Sequence, residues 1–290
     1  MAVTLTGLEG RTAIVTGAGR MRSIGRSIAL VLARAGCDVV VTGSGRAPER
    51  YPEDERRAGW RDVESVAEEI RTLGRRALAA VCDVADAEAV QTLLERVTRE
   101  FGDIDVLVNN AGSAFGSDRV PVVDLPVPEW HRVIATNLHG TFYMSQAVAR
   151  RMVAQGRGGS IVNISSLSAR LLSADSGVYA ASKAAVNALS TVMAAELGPH
   201  RIRVNAVCPG IIDTSRHDEL RSTALWESVI RSFVPLGRAG TGGDIANLVA
   251  FLCSDEGAWI TGQHIYIDGG HGFTPRSAPS HTDGSSQGDA

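Results

Sequence analysis

No stretch of this chain is apolar for long enough to cross a bilayer, and its N-terminus lacks a basic region followed by an apolar core, so neither a membrane span nor a secretory signal is expected. Cysteine is scarce. Cys37, Cys82, Cys208 and Cys253 are scattered without a CxxC pair or metal-ligand spacing, which argues against a disulfide framework or a metal site and for reduced, buried thiols in a cytoplasmic protein. An excess of one charge is missing too: 29 Lys and Arg stand interspersed among 32 Asp and Glu, a net charge of −3. That balance gives no footprint for nucleic acid or an anionic membrane surface. With no internal repeat and no shift in composition, residues 1–273 of the 290 are expected to form one large domain. The stretch 274–290, rich in Ser, Pro, Gly and Asp, reads as a disordered tail.

What the chain does contain is a regular alternation. Short β-rich segments near 12–16, 37–42, 77–82, 104–109, 159–165, 202–207 and 263–267 are separated by helical patterns near 24–35, 62–73, 86–101, 129–155, 177–198 and 243–253. Such alternation predicts an α/β protein: a seven-stranded parallel sheet, doubly wound, with helices on both faces. Ligands then belong at the C-terminal ends of the strands.

Tyr179 and Lys183 are the most informative pair, because a phenol and an ammonium four residues apart share one helical face. A neighbouring cation favours the phenolate, so the phenol can exchange a proton well below its free pKa near 10. Near the N-terminus, the apolar segment 12–16 runs into a glycine-rich turn, Gly17 to Gly25, and Ile24, Ile28, Leu32 and Ala35 follow at helical spacing. Glycines between a strand and a helix N-terminus can hold a pyrophosphate with backbone N–H groups. Further strand ends carry Asn109-Asn110-Ala111-Gly112, Ser165-Ser166, Cys208-Pro209-Gly210 and Asp268-Gly269-Gly270, while Asn137 lies inside a helix.

Together these five motifs, in this order over about residues 8 to 270, resemble the short-chain dehydrogenase/reductase family in its single-domain form, similar to 3-oxoacyl carrier protein reductases. The resemblance implies a Rossmann fold and an NAD(P)-dependent enzyme interconverting ketones and secondary alcohols by hydride transfer. It makes Tyr179 the general acid/base and Lys183 the group that lowers its pKa and binds nicotinamide ribose hydroxyls. Ser166, thirteen residues before Tyr179, would bond the substrate oxygen, with Ser165 as second choice, and Asn137 would position a relay water through its backbone. The resemblance also places Gly17, Arg22, Ser23, Ile24 and Gly25 around the pyrophosphate, Asp83 and Val84 at the adenine, and Asn110, Ala111 and Gly112 along the adenosine-side ribose and the middle of the cofactor. Pro209, Gly210, Ile212 and Thr214 would orient the nicotinamide.

The glycine loop departs from the family pattern TGxxxGxG. It is two residues longer, and Ser23 stands at the middle glycine. That length resembles the divergent enoyl reductases, but their Tyr-to-Lys spacing is wider than the i,i+4 pair here, so enoyl reduction is a minor alternative. No carboxylate ends the second strand, where Ser44 and Arg46 follow, with Arg20 and Arg22 in the glycine loop. This favours NADP(H) over NAD(H), against which Glu49, Glu53 and Asp54 stand close enough to fold back.

Residues 45–61 form an insertion: either a charged, solvated loop or a flap whose Tyr51 or Trp60 covers the adenosine half. Residues 213–234 resemble the family's substrate lid, with Leu220, Leu225, Trp226, Ile230 and Phe233 as pocket or core, and Ser113 to Arg119 forms another wall. Neither names the substrate, which is a small-molecule or carrier-bound carbonyl or alcohol. The helices at 129–155 and 177–198 resemble the family's subunit interface, which implies a homotetramer or homodimer. A redox-silent nucleotide-binding protein on the same fold is the alternative from another class; it would have little reason to keep Asn137, Ser166, Tyr179 and Lys183 together.

Overall fold

The computed structural model describes residues 5–114 and 116–272; the expected tail at 274–290 lies outside them. Seven strands form one sheet: β1 (Thr12–Val15), β2 (Asp38–Gly43), β3 (Ala77–Val81), β4 (Val106–Asn109), β5 (Gly159–Ile164), β6 (Ile202–Pro209) and β7 (His264–Ile267). Every pairing is parallel, in the order β3-β2-β1-β4-β5-β6-β7. The order reverses between β1 and β4, which opens a crevice at their C-terminal ends.

The sheet is apolar on both faces because both are covered. Val39 and Val41 of β2 join one core with Ile28 and Leu32 of α1 (Ile24–Arg34), while Val40 between them joins the other. The chain continues through α2 (Glu53–Arg57), α3 (Val63–Thr72), α4 (Ala87–Phe101), α5 (Val127–Ile134), α6 (Gly140–Gln155), α7 (Gly177–Leu197), α8 (Asp218–Arg221), α9 (Leu225–Phe233) and α10 (Gly242–Cys253). Side-chain caps fix the starts of α1 and α4. The Ser23 side chain accepts from the Arg26 N–H at the head of α1, and Asp86 does the same for Glu88 and Ala89 at the head of α4.

Two expectations need correction. The pattern at 129–155 predicts one helix, but α5 and α6 are joined by a π turn over Ala135–His139, in which the Gly140 N–H bonds to the Ala135 carbonyl five residues back. The insertion is not a bare solvated loop either. It contains a 3-10 turn, Pro48–Arg50, and α2, and the Glu55 side chain on α2 is fully buried. The four cysteines are free and buried; burial pushes the Cys37 thiol up to about 12 and those of Cys82 and Cys253 up to about 11, so they are poor nucleophiles. No described helix is long and apolar enough to cross a membrane.

Candidate active site

Strand β5 and helix α7 bring the catalytic candidates together. Tyr179 lies in the first turn of α7, and Lys183 follows one turn later, where its ammonium is buried, donates to the Ile164 carbonyl at 2.8 Å and stands 5.9 Å from the phenol ring centre. The two serines separate cleanly. Ser165 is buried, its hydroxyl donating to the Lys183 carbonyl, whereas Ser166 interacts with the Tyr179 hydroxyl and caps the short turn Leu167–Ala169. Of the two candidates, Ser166 is therefore the serine that meets the Tyr179 hydroxyl.

Asn137 sits in the π turn and is fully buried. Its side chain accepts from the Ser113 N–H at 2.8 Å and donates to the Ser182 hydroxyl at 3.0 Å, and its carbonyl accepts from Thr141 Oγ1. It thus clamps the β4 loop to α7 beside Lys183.

The electrostatics suit proton exchange. Burial pushes the Tyr179 phenol up, but Lys183, Arg216, the Ser166 hydroxyl and Arg119 together outweigh it and hold the pKa below the usual value. Burial likewise lowers the Lys183 ammonium, which the neighbouring phenolate partly restores. The pair stabilises one charge between them.

The crevice between β1 and β4 has the shape of a nucleotide cradle. Gly17 adopts φ +66°, and a Cβ there would lie 2.7 Å from the Ala111 Cα. Gly25 meets Asn110 as closely. Ile24 and Gly25 open α1, so their N–H groups lack acceptors within the helix and are open to an anion. Thr16, which the sequence did not single out, stitches the edge by accepting from the N–H groups of Asn110 and Ala111. The Asn110 side chain donates to the carbonyls of Thr16 and Gly17, so it builds the loop. These features fit a dinucleotide.

Arg22 departs from the expected place at the pyrophosphate. It pairs with Asp54 of the insertion at 2.9 Å and with Asp218 of α8, so it joins glycine loop, insertion and lid. Backbone contact reinforces the junction: the Ser215 N–H donates to the Arg22 carbonyl at 3.0 Å, and Arg20 reaches the Ser215 hydroxyl at 3.4 Å.

At the end of β2, Ser44 is exposed, while Arg46 is held by two acids that neither β2 nor its turn supplies. Glu55 accepts from Arg46 Nη1 at 3.0 Å and Asp62 from Nε at 3.3 Å; Nη2 is buried with no hydrogen-bond partner. The insertion does fold back, although through Asp54 and Glu55 rather than Glu49 or Glu53, and Asp62 joins them from the head of α3. Glu55 also accepts from the Met21 N–H, and Trp60 Nε1 donates to the Gly19 carbonyl at 2.6 Å, while Tyr51 lies beneath the Arg46 guanidinium.

The remaining expected contacts line the same edge. Asp83 is exposed and accepts from the Ala85 N–H as a turn residue, and buried Val84 packs against Gly140. Pro209 ends β6, the Gly210 N–H donates to the Ile267 carbonyl, and a Cβ on Gly210 would lie 2.7 Å from the Asp268 Cβ. Ile212 and Thr214 are buried. In the lid, Ile230 is core, Trp226 packs on His217, and Leu225 and Phe233 are exposed.

The chain matches the family model described as enoyl-(acyl carrier protein) reductase over residues 17–272. It is 41% identical to L-rhamnose 1-dehydrogenase (NAD(P)(+)) of Azotobacter vinelandii, covering 90% of this chain and 96% of that one. It is 40% identical to the 3-oxoacyl-[acyl-carrier-protein] reductase FabG of Staphylococcus aureus, covering 90% and 97%. Among solved structures, a short-chain type dehydrogenase/reductase from Mycobacterium marinum superposes with a TM-score of 0.76 at 36% identity, over 92% of this chain and 97% of that one. With its parallel doubly wound sheet and the Tyr179–Lys183 pair at the strand ends, the chain belongs to the short-chain dehydrogenase/reductase family, and it is an NAD(P)-dependent oxidoreductase interconverting ketones and secondary alcohols.

Proposed function

We propose that Tyr179 is the general acid/base of this chain, that NADP(H) is favoured over NAD(H), and that the substrate is a small-molecule or carrier-bound ketone or secondary alcohol. The convergence of Ser166, Lys183 and the lowered phenol of Tyr179 carries the mechanism. In reduction the Tyr179 hydroxyl gives its proton to the carbonyl oxygen, which Ser166 holds by a hydrogen bond; in oxidation the phenolate takes the alcohol proton. Lys183 stabilises the phenolate and binds ribose hydroxyls, and the Asn137 carbonyl positions a water that returns the proton to solvent. The nicotinamide, when bound, supplies or accepts the hydride. A ketone and alcohol panel with NADPH and NADH tests this reading: no turnover in either direction would leave the redox-silent nucleotide-binding alternative, and turnover of alkenes alone would favour enoyl reduction.

The signs of the pH dependence follow from the phenol. Alcohol oxidation needs phenolate, so its rate rises with pH through the lowered tyrosine pKa, whereas ketone reduction needs the phenol and falls over the same range. Arg216→Gln withdraws a cation that favours the phenolate, so both limbs should move to higher pH. Identical profiles for the two proteins would remove Tyr179 from the titration.

For the nucleotide, the carboxylate-free end of β2 and the Arg46 Nη2 donor without a partner support a 2′-phosphate. Glu55 and Asp62 weigh the other way, so the preference is modest. Asp62→Asn, an exchange tolerated at its φ of +53°, should raise the NADP-to-NAD ratio of kcat/KM roughly tenfold, about 1.4 kcal/mol. An unchanged ratio would mean that the phosphate does not meet this cluster. Residues 1–273 acting as one unit, a cytoplasmic setting, and a homotetramer or homodimer complete the proposal; exposed Phe142 on α6 and Val192 on α7 support assembly across those helices.

A further inference from the structure

The two loops that face the catalytic tyrosine each carry an arginine to it. The Arg119 guanidinium carbon lies 4.4 Å from the Tyr179 ring centre, and that of Arg216 lies 5.4 Å from it. They approach from different walls: Arg119 from the loop after β4, Arg216 from the turn Ser215–His217 at the head of the lid. Both are anchored. Arg216 Nη2 donates to the Ser113 carbonyl at 2.8 Å, and Arg119 stands 3.4 Å from Asp118, a buried carboxylate shared with Arg132. A guanidinium carries five N–H donors in a planar fork, a geometry that recognises carboxylates.

A neutral ketone gives this arrangement nothing to recognise. Acid/base chemistry on a carbonyl needs one cation near the phenol, and Lys183 fills that role from within α7. Two further guanidiniums beside the reacting position, on walls that are otherwise free to be apolar, match a planar anion on the substrate itself.

We propose, resting on the oxidoreductase reading above, that this chain acts on a ketone or secondary alcohol that also bears a carboxylate, which Arg119 and Arg216 grip while Ser166 and Tyr179 hold the reacting oxygen. The short distance from both guanidiniums to the phenol ring means that carboxylate and carbonyl are separated by few bonds. A charged hydrogen-bond pair of this kind is worth about 10- to 100-fold in affinity.

The test is binding to the protein saturated with oxidised or reduced nucleotide, followed by calorimetry, using pyruvate, acetoacetate and levulinate beside their methyl esters. It is run in the Tyr179→Phe background so that turnover plays no part and failure of the catalytic reading is separately visible. At least one acid should bind about 10- to 100-fold more tightly than its ester, and Arg119→Gln with Arg216→Gln should level the two. Arg119→Lys, which keeps the charge, should retain part of the difference and guards against loss of fold. Equal binding of acids and esters, binding of neither, or a difference that survives the double exchange would overturn the proposal. A role for the arginines confined to tuning the phenol would leave the acid-to-ester ratio unmoved.

Discussion

Tyr179→Phe should abolish turnover while leaving nucleotide binding in place. The exchange removes one oxygen and nothing else: the ring that packs beneath Arg119 and Arg216 stays, and Lys183 keeps its bond to the Ile164 carbonyl. What is lost is the proton that must move to or from the substrate oxygen, and positioned acid/base groups of this kind contribute roughly two to four orders of magnitude in rate. The loss should fall on kcat and kcat/KM alike, because phenol and phenolate act on the transition state more than on the bound ground state. Nucleotide fluorescence titration and steady-state rates read the two properties separately. Turnover within about tenfold of the parent would exclude Tyr179 as the acid/base.

Gly25→Ala should do the reverse and cost nucleotide affinity. Gly25 is buried in the first turn of α1, and a Cβ there would lie 2.4 Å from Asn110 Nδ2, 2.8 Å from the Gly17 carbonyl oxygen and 2.9 Å from the Ala18 Cα. Two of these are backbone atoms, so the loop itself must shift. Overpacking costs about 1–3 kcal/mol, which corresponds to roughly 10- to 100-fold weaker nucleotide binding if the strain falls on the cradle. Helix propensity favours alanine over glycine, so α1 itself should persist. Gly198→Ala is the control, since no atom lies within 4 Å of its added methyl. Unchanged binding in the Gly25 variant would separate the glycine loop from the nucleotide.

The parts of this site that were legible in the sequence are those set by local geometry. Tyr179 and Lys183 are one turn apart on the same helix, and each strand of the sheet is a short apolar run ended by small or polar residues, so order and spacing suffice. The parts that escaped depend on where loops go after they leave the sheet. Arg119 and Arg216 are 97 positions apart, and nothing in either segment marks it as facing Tyr179. Asp62 reaches Arg46 from the head of α3 on a backbone with φ +53°, a conformation that no pattern of apolar residues announces. Arg22 reads as a phosphate ligand by its place in the loop, yet two acids from other segments claim it.

The π turn at Ala135–His139 takes in one residue more than an α turn, so Val133 before it and Met144 after it still face the interior as they would on an unbroken helix one residue shorter. Deleting a single residue there would let the two helices fuse without rotating either buried stripe. The fused helix would no longer splay the backbone at Asn137. On the mechanism proposed above, an allele of this kind would keep the fold and the nucleotide cradle but lose the relay at Asn137, so a binding-only descendant of this scaffold lies one codon away.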